Sequence, residues 1–483
     1  MEQENLLNTQ TPIQTDKQAQ LPLDIIILAA GLGTRMKSGK AKVLHQLGGR
    51  PLIGHVCRTA KSLGPGNIHV IVGHQAEEVE AAAREVLGAN HVTFVRQPQQ
   101  RGTGDAVMSA RQGFQGADST VLVLSGDVPL IRAETLRLLL NQHRQTNSVC
   151  TILGVRMENP TGYGRIVRDD RDCFVRIVEQ KDATAEEKQI REINSGVYCF
   201  QAGKLFPALA RVEPRNQQGE YYLTDVAEIL LAHGEEVNVY SHHDAREVSG
   251  VNTRAELAEF ENLLRRNTIR GLMLDGGVTF IDPSHTYISA EAEIGRDCVI
   301  YPDVQVEGKT TIGDNCELRS GSRITDSRLG DNVTIKDHCV IIDSDIESDC
   351  SVGPFAHLRM NARLEEGARV GNFVEVKKSR LGRGTKSMHL SYLGDASIGA
   401  KTNIGAGTIT CNFDGENKHP TIIEDNVKIG SDTMLVAPIR IGRGSVTGAG
   451  SVVTKDVPPN TLVAGVPAVI KKSLAEKDDE KEG

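Results

Sequence analysis

A run of aliphatic residues, IIILAA, breaks after Ala30 into GLGTRM. Gly31 and Gly33 set a tight turn, and Thr34, Arg35 and then Lys42 follow it. Backbone N–H groups at a helix start attract anions, and two cations nearby can neutralise a polyphosphate. The stretch is not a dinucleotide fingerprint, because Met36 stands where the third glycine belongs, and it lacks the G-K-[ST] ending of a P-loop. A turn that simply needs glycine, with surface charges beside it, is the plainer account of the same residues. Asp127 closes a second aliphatic run, VLVLSGD, at the carboxyl end where open α/β sheets place their ligands. A carboxylate there suits a metal ion, although aspartate after glycine is also a common turn former. His389, in SMHLSYLGD, carries an imidazole that titrates in the range a general base needs. A lone histidine is as readily structural.

These residues need elements to hold them. From residue 24 to 252 aliphatic runs alternate with helix-length segments such as Gln75–Gly88, which predicts a mostly parallel sheet covered by helices. Leu257, Phe260, Leu263 and Leu264 share one helical face, so residues 253–274 read as a linker helix. Beyond residue 275 the period changes. Ile294, Ile300, Val306, Ile312, Leu318 and Ile324 stand six apart, and the step recurs to Ile441. Such a step fits neither a helix nor a simple strand; it fits a parallel β-helix over residues 275–470. Three polar segments, FAHLRMNARL, NFVEVKKSRLGRGTKSMHLSYLGD and GAGTITCNFDGENKHPT, are expected to break the regular coil. Residues 1–23 read as a disordered leader and 471–483 as a charged tail that frays.

A net charge of −8 disfavours nucleic acid as the main partner. No aliphatic run is long enough to cross a bilayer, so membrane insertion is not expected. Nine scattered cysteines without a C-x-x-C pair fit reduced thiols and a cytoplasmic location.

LAAGLGTRM followed by KVLH resembles the signature of sugar-1-phosphate nucleotidyltransferases. With GTGDA, SGDVPL, GYGRI, EQKDA, EINSG, GEYYLTD and GVN in order, residues 24–465 are similar to the bifunctional N-acetylglucosamine-1-phosphate uridyltransferase/glucosamine-1-phosphate acetyltransferase family. The resemblance implies a Rossmann-like α/β nucleotidyltransferase domain followed by a left-handed parallel β-helix of hexapeptide repeats. It implies an enzyme that acetylates glucosamine-1-phosphate with acetyl-CoA, then joins N-acetylglucosamine-1-phosphate to UTP, giving UDP-N-acetylglucosamine for envelope polysaccharides. The alternative is a monofunctional nucleotidyltransferase whose β-helix only assembles or regulates it.

By the same resemblance, Leu28, Ala29, Ala30, Gly31, Gln97, Gly102 and Thr103 hold the uridine, and Arg35 and Lys42 act on the phosphates. Asp127 and Asn252 bind Mg2+, which suits this work because it takes phosphate oxygens with only one or two protein ligands. Gly164, Glu179, Asn194, Tyr222 and Thr224 line the sugar pocket. In the β-helix His389 is the base, Arg359 and Lys377 hold the sugar phosphate, and Tyr392 and Asn403 the sugar. Ala406, Asn412, Phe413, Ser431 and Ala449 match the acetyl-CoA side. Members of the family form homotrimers through the coil, with acetyl-transfer sites between subunits. Three departures stand out: Ala41 where the family usually has proline, Phe413 where it often has tyrosine, and VAGVPAVIKK without the arginine some members carry near there.

Overall fold

The computed structural model describes residues 21–114 and 118–474, in two compact units, residues 1–258 and 259–483. Residues 1–20 of the expected leader and the tail from 475 lie outside the described residues; the leader's last residues are not disordered, because the Pro22 carbonyl accepts the Thr120 N–H and Leu23 pairs with Thr120 in the sheet.

The first unit is built on one nine-stranded sheet. Its strands are β1 (Leu23–Ala29), β2 (Asn67–Val72), β3 (Val92–Arg96), β4 (Thr120–Ser125), β5 (Cys150–Arg156), β6 (Gly164–Arg168), β7 (Phe174–Val178), β8 (Glu192–Gln201) and β9 (Val237–His242). The order is β9-β5-β8-β4-β1-β2-β3, with β6 paired to β8 and β7 to β6. Pairs β1–β2, β1–β4, β2–β3 and β5–β9 are parallel, whereas β8 runs antiparallel to β4, β5 and β6. Its helices are α1 (Leu52–Ser62), α2 (Ala76–Leu87), α3 (Thr103–Ser109), α4 (Ala133–Gln145), α5 (Ala202–Leu209), α6 (Asp225–Ala232) and α7 (Ala245–Val248), and α8 (Arg254–Leu274) runs across the boundary at residue 258. Ile25 and Ile27 pack on one face of the sheet and Ile26 on the other, so β1 is a fully buried central strand. This accounts for its unbroken aliphatic run, which has no solvent face to show. The carboxyl ends of β1 and β4 lie side by side, and the loops after them carry Gly33 and Asp127.

The second unit is a parallel β-helix. Ile294 stacks on Ile312, Ile300 on Leu318 and Val306 on Ile324, so three six-residue sides make one coil of 18 residues. The stacked aliphatic side chains form the core. Full burial stabilises each by roughly 1.5–3 kcal/mol. Of the three segments expected to leave the coil, only the last does. The first two stay in register: Leu358 lies beside Val376, an 18-residue step, and Asn372 beside His389 and Glu375 beside Tyr392, each a 17-residue step. At residue 412 the step lengthens, because Ser397 pairs with Ile422, 25 residues on. Most charged side chains of the first two segments stay at the surface, and the buried hydroxyls of Ser379, Thr385 and Ser391 donate to backbone carbonyls, so the aliphatic column is not interrupted. At the other end, Ala468–Ser473 pairs antiparallel with Thr461–Gly465. Lys471–Ser473, read from their charge as frayed tail, are therefore strand; backbone hydrogen bonds hold them while their side chains stay exposed. All nine cysteines are free thiols.

Candidate functional sites in the two units

Gly33 has φ +64°, and a Cβ on it would lie 2.5 Å from the Cβ of Lys42. The GLG turn therefore folds directly against the lysine that follows it. Gly31 has open space where a side chain would go. Packed in this way, Lys42 donates to the Asp127 carboxylate and, at 3.0 Å, to Oδ1 of Asn252. Arg35 Nη2 donates to the same Oδ1 at 2.8 Å. The N–H of Val251 donates to the Asp127 carbonyl at 2.9 Å, which ties the two ligand loops together by backbone. The four residues the sequence singles out for phosphate and metal are thus in mutual contact. One ammonium bridges the Asp127 and Asn252 oxygens, so both can reach a single cation. No group of three or more His, Cys, Asp or Glu side chains could enclose a metal among the described residues. An open site with two oxygen donors suits Mg2+, which draws its other ligands from phosphate and water.

Ala41, at the departure from proline, is buried and donates its N–H to Oε1 of Gln75 at 2.6 Å. Proline has no N–H and could not make this bond. The loop of Lys42 is therefore held by a hydrogen bond that a proline-containing loop lacks.

Among the residues expected to hold uridine, Leu28 and Ala29 end β1, and the Ala30 carbonyl accepts Nε2 of Gln100 at 2.6 Å. Gln97 is buried and donates to the Gly102 carbonyl at 3.2 Å and to Asp105 at 2.8 Å. Gly102 has φ +116°, and a Cβ there would strike the Tyr221 carbonyl at 2.4 Å. Thr103 Oγ1 accepts the Leu223 N–H at 3.0 Å. A cavity of about 570 Å³ opens here, lined in part by Leu32, Gly73, Gln75, Gln97 and Gln100.

Among the residues expected to line a sugar pocket, Gly164 and Asn194 are cross-strand partners, and a Cβ on Gly164 would sit 3.3 Å from Glu179 Oε1. Burial pushes the Glu179 carboxyl up to about 7, helped by the Asp225 and Asp182 carboxylates. The buried Thr224 hydroxyl lies beside it without closing a hydrogen bond of good geometry. Tyr222 OH accepts Gln218 Nε2 at 2.5 Å, and Asn194 Nδ2 donates to Tyr198 OH at 2.6 Å. The pocket offers hydroxyls, an amide and a carboxyl that holds its proton near neutrality.

In the β-helix His389 is exposed on the outside of a coil, and its Nδ1 meets Asn372 Oδ1 at 2.8 Å. The amide oxygen only accepts, so Nδ1 carries the hydrogen, which in the neutral ring places the lone pair on Nε2. At the same corner of later coils stand Ala406, Ser431 and Ala449. The Asp432 N–H donates to the Ala406 carbonyl and the Gly450 N–H to that of Ser431, which fixes one residue per turn. Side chains shrink along this column from imidazole to methyl and hydroxymethyl. On the next side of the coil Arg359 is in register with Lys377, and Glu375 with Tyr392. Arg359 forks onto Glu375 at 2.8 and 2.6 Å.

Two residues do not join these groups. Asn403 pairs with Lys386, before the corner, whereas Tyr392 lies beyond it, so the two face different ways within one chain. Asn412 donates to Asp395 Oδ2 at 2.6 Å, and the Asp395 N–H donates to the Lys377 carbonyl at 3.1 Å, so Asn412 is tied to the Lys377 strand. Phe413 is exposed in the inserted loop. That loop brings in Lys418, which sequence reasoning missed. It stands next to Lys377, whose charge pulls its pKa down. Two adjoining ammonium groups mark a place for an anion. Asn372 and Gln100 were also missed; no local pattern singles out an asparagine one coil below a histidine.

Residues 25–220 match the model of the MobA-like NTP transferase domain, residues 283–362 the GMPPB C-terminal domain, and residues 420–455 the bacterial transferase hexapeptide (six repeats). The chain is 48% identical to the bifunctional protein GlmU of Syntrophomonas wolfei over 92% of this chain and 97% of the relative. It is 48% identical to that of a Geobacillus species over 90% and 94%, and 46% identical to that of Geotalea uraniireducens over 93% and 98%.

Proposed function

Since the chain belongs to the bifunctional GlmU family, we propose that it acetylates glucosamine-1-phosphate with acetyl-CoA and then transfers UMP from UTP to N-acetylglucosamine-1-phosphate. The products are UDP-N-acetylglucosamine and pyrophosphate. The observation that supports this best is that each unit gathers its own reactive groups: Arg35, Lys42, Asp127 and Asn252 in one, Asn372 and His389 above a column of small residues in the other.

In acetyl transfer, Arg359, Lys377 and Lys418 hold the sugar phosphate. His389 Nε2 removes a proton from the sugar amine as nitrogen attacks the thioester carbonyl. The C–S bond breaks, and the His389 imidazolium gives its proton to the leaving sulfur, so the coenzyme departs as its thiol. The acetyl-CoA arm runs along Ala406, Ser431 and Ala449, where small side chains leave room. In uridylyl transfer, Gln97 offers its amide oxygen to the uracil N–H. Glu179, Asn194, Tyr222 and Thr224 hold the sugar, and a protonated Glu179 can donate to it. Arg35 and Lys42 neutralise the phosphates so that the sugar-phosphate oxygen can approach the α-phosphorus; catalysis here is mostly positioning and charge neutralisation. Asp127 and Asn252 would hold Mg2+, which when bound would supply further charge stabilisation at the phosphates.

The acetyl site takes groups from neighbouring chains of a homotrimer. Asn403 faces away from Tyr392 within one chain, and an apolar ladder lies open at the same corner: His338 stacks on Phe355 at 5.2 Å and Phe355 on Phe373 at 5.4 Å, with exposed Leu390 next. The enzyme works in the cytoplasm, where both co-substrates are found; no described helix is long and apolar enough to cross a membrane. A coil that only assembles the enzyme leaves the Asn372–His389 pair without a purpose.

The test is an incubation with glucosamine-1-phosphate, acetyl-CoA, UTP and Mg2+, omitting one component at a time and identifying products by mass. N-acetylated sugar phosphate must form without UTP, and nucleotide sugar only with it. Nucleotide sugar without any acetylation would leave the monofunctional alternative.

A further inference from the structure

The first unit contains a buried carboxylate that none of the steps above uses. Glu247 sits on the four-residue helix α7 and is 6% exposed. Its Oε2 accepts the Thr135 hydroxyl at 2.6 Å, and Arg132 pairs with its other oxygen. His242, also buried, brings Nε2 to 3.5 Å from Oε2. Arg132 and Thr135 belong to the N-terminal end of α4, five and eight residues after Asp127. Glu247 itself precedes Asn252 by five residues. One carboxylate thus joins the stretch that carries Asp127 to the stretch that carries Asn252.

Beyond Asn252 the chain is clamped again. Glu256 accepts the N–H groups of Asn252 at 2.7 Å and Thr253 at 2.8 Å, while Thr253 Oγ1 accepts the Glu256 N–H at 3.2 Å. This is a capping box on α8. Apolar packing would hold so short a helix as α7 without desolvating a charge, and desolvation is costly even for a paired carboxylate. What a carboxylate adds is direction, because it fixes two partners on α4 at set angles.

Resting on the uridylyl-transfer reading, we infer that Glu247 is a positioning residue for that reaction, which sets the spacing of the Asp127 and Asn252 oxygens through Arg132 and Thr135. It touches neither substrate nor cation. Losing it loosens the geometry of the two oxygens and leaves both of them present.

The test uses the full chain with Mn2+ as the probe. Mn2+ binding with UTP is followed by electron paramagnetic resonance, and both reactions are assayed. Glu247→Gln is expected to weaken Mn2+ binding by about 10–100-fold, the range for outer partners of metal ligands. It should raise the Mn2+ needed for half-maximal uridylyl transfer by a similar factor and leave acetyl transfer unchanged. Thr135→Val, which keeps the carboxylate and Arg132, should act in the same direction by a smaller factor, and Glu247→Asp should recover part of the loss. Mn2+ binding by Glu247→Gln within twofold of the parent overturns the inference. If Glu247→Gln does not fold, Thr135→Val decides by the same twofold criterion. A parent protein that binds no Mn2+ with UTP and forms no nucleotide sugar would instead overturn the uridylyl reading itself.

Discussion

Replacing Gly33 by alanine tests whether the glycine turn exists to seat Lys42. The new Cβ would stand 2.5 Å from the Lys42 Cβ. Carbon atoms rest at about 3.5–4.0 Å, so the turn or the lysine must move by roughly 1–1.5 Å. An L-residue at φ +64° adds a backbone cost of about 1–2 kcal/mol. A displacement near 1 Å in a catalytic group can cost about 100-fold in rate, which is roughly 2.7 kcal/mol of barrier. Lys42 is the group displaced, and with it the contacts to Asp127 and Asn252. Gly33→Ala should therefore lower uridylyl transfer about 100-fold, measured as pyrophosphate release from UTP and N-acetylglucosamine-1-phosphate. Thiol release from acetyl-CoA serves as the internal control and should not change. Gly31→Ala, with open space at its Cβ, should leave the melting temperature unaltered. Uridylyl transfer by Gly33→Ala within threefold of the parent would refute the claim that this glycine seats the lysine.

Asn372→Ala removes the acceptor that fixes the His389 tautomer. A hydrogen bond worth about 1 kcal/mol translates to roughly a fivefold loss of acetyl transfer, against 100-fold or more for His389→Ala; equal losses in the two variants would contradict a positioning role. The Glu179 carboxyl, raised to about 7, holds its proton below that pH and becomes a carboxylate above it. The KM for N-acetylglucosamine-1-phosphate should then rise as pH passes upward through 7, because the carboxylate cannot donate and repels phosphate. Glu179→Gln, which stays neutral, should flatten that profile, and an unchanged profile in the variant would assign the titration elsewhere. The same shift makes the native state hold more protons than the unfolded chain between the ordinary carboxyl range and about 7, so this group's contribution to stability falls as pH rises across that window. Gln75→Ala should raise the KM for UTP several-fold by freeing the Ala41 N–H, while Ala41→Pro in the same background should restore it; no restoration would show that Gln75 acts by another route.

The period of the sequence was enough to read both architectures. Alternating aliphatic runs and helix-length segments are local properties, and so is a six-residue step, because each reports which side of a short element is buried. The chemical types were legible for the same reason: Gly33 before Arg35 and Lys42, and Asp127 at the end of a strand, are short-range patterns. Convergence was not legible in spacing, and only the family resemblance put Asp127 and Asn252 together. Lys42 and Asn252 are 210 residues apart and meet only because β1 and β4 lie side by side and the Val251–Asp127 backbone bond draws the second loop in. The sequence could not say which glycine in the turn is required, since the obstacle, Lys42 Cβ, lies outside the turn. It could not align Ser431 under Ala406 either, because the inserted loop changes the step to 25 residues and breaks the count, while backbone pairing keeps the two in register. Residue type and spacing along the chain set what each element is; which side chains share a cavity depends on the path between elements, and only packing in three dimensions decides that path.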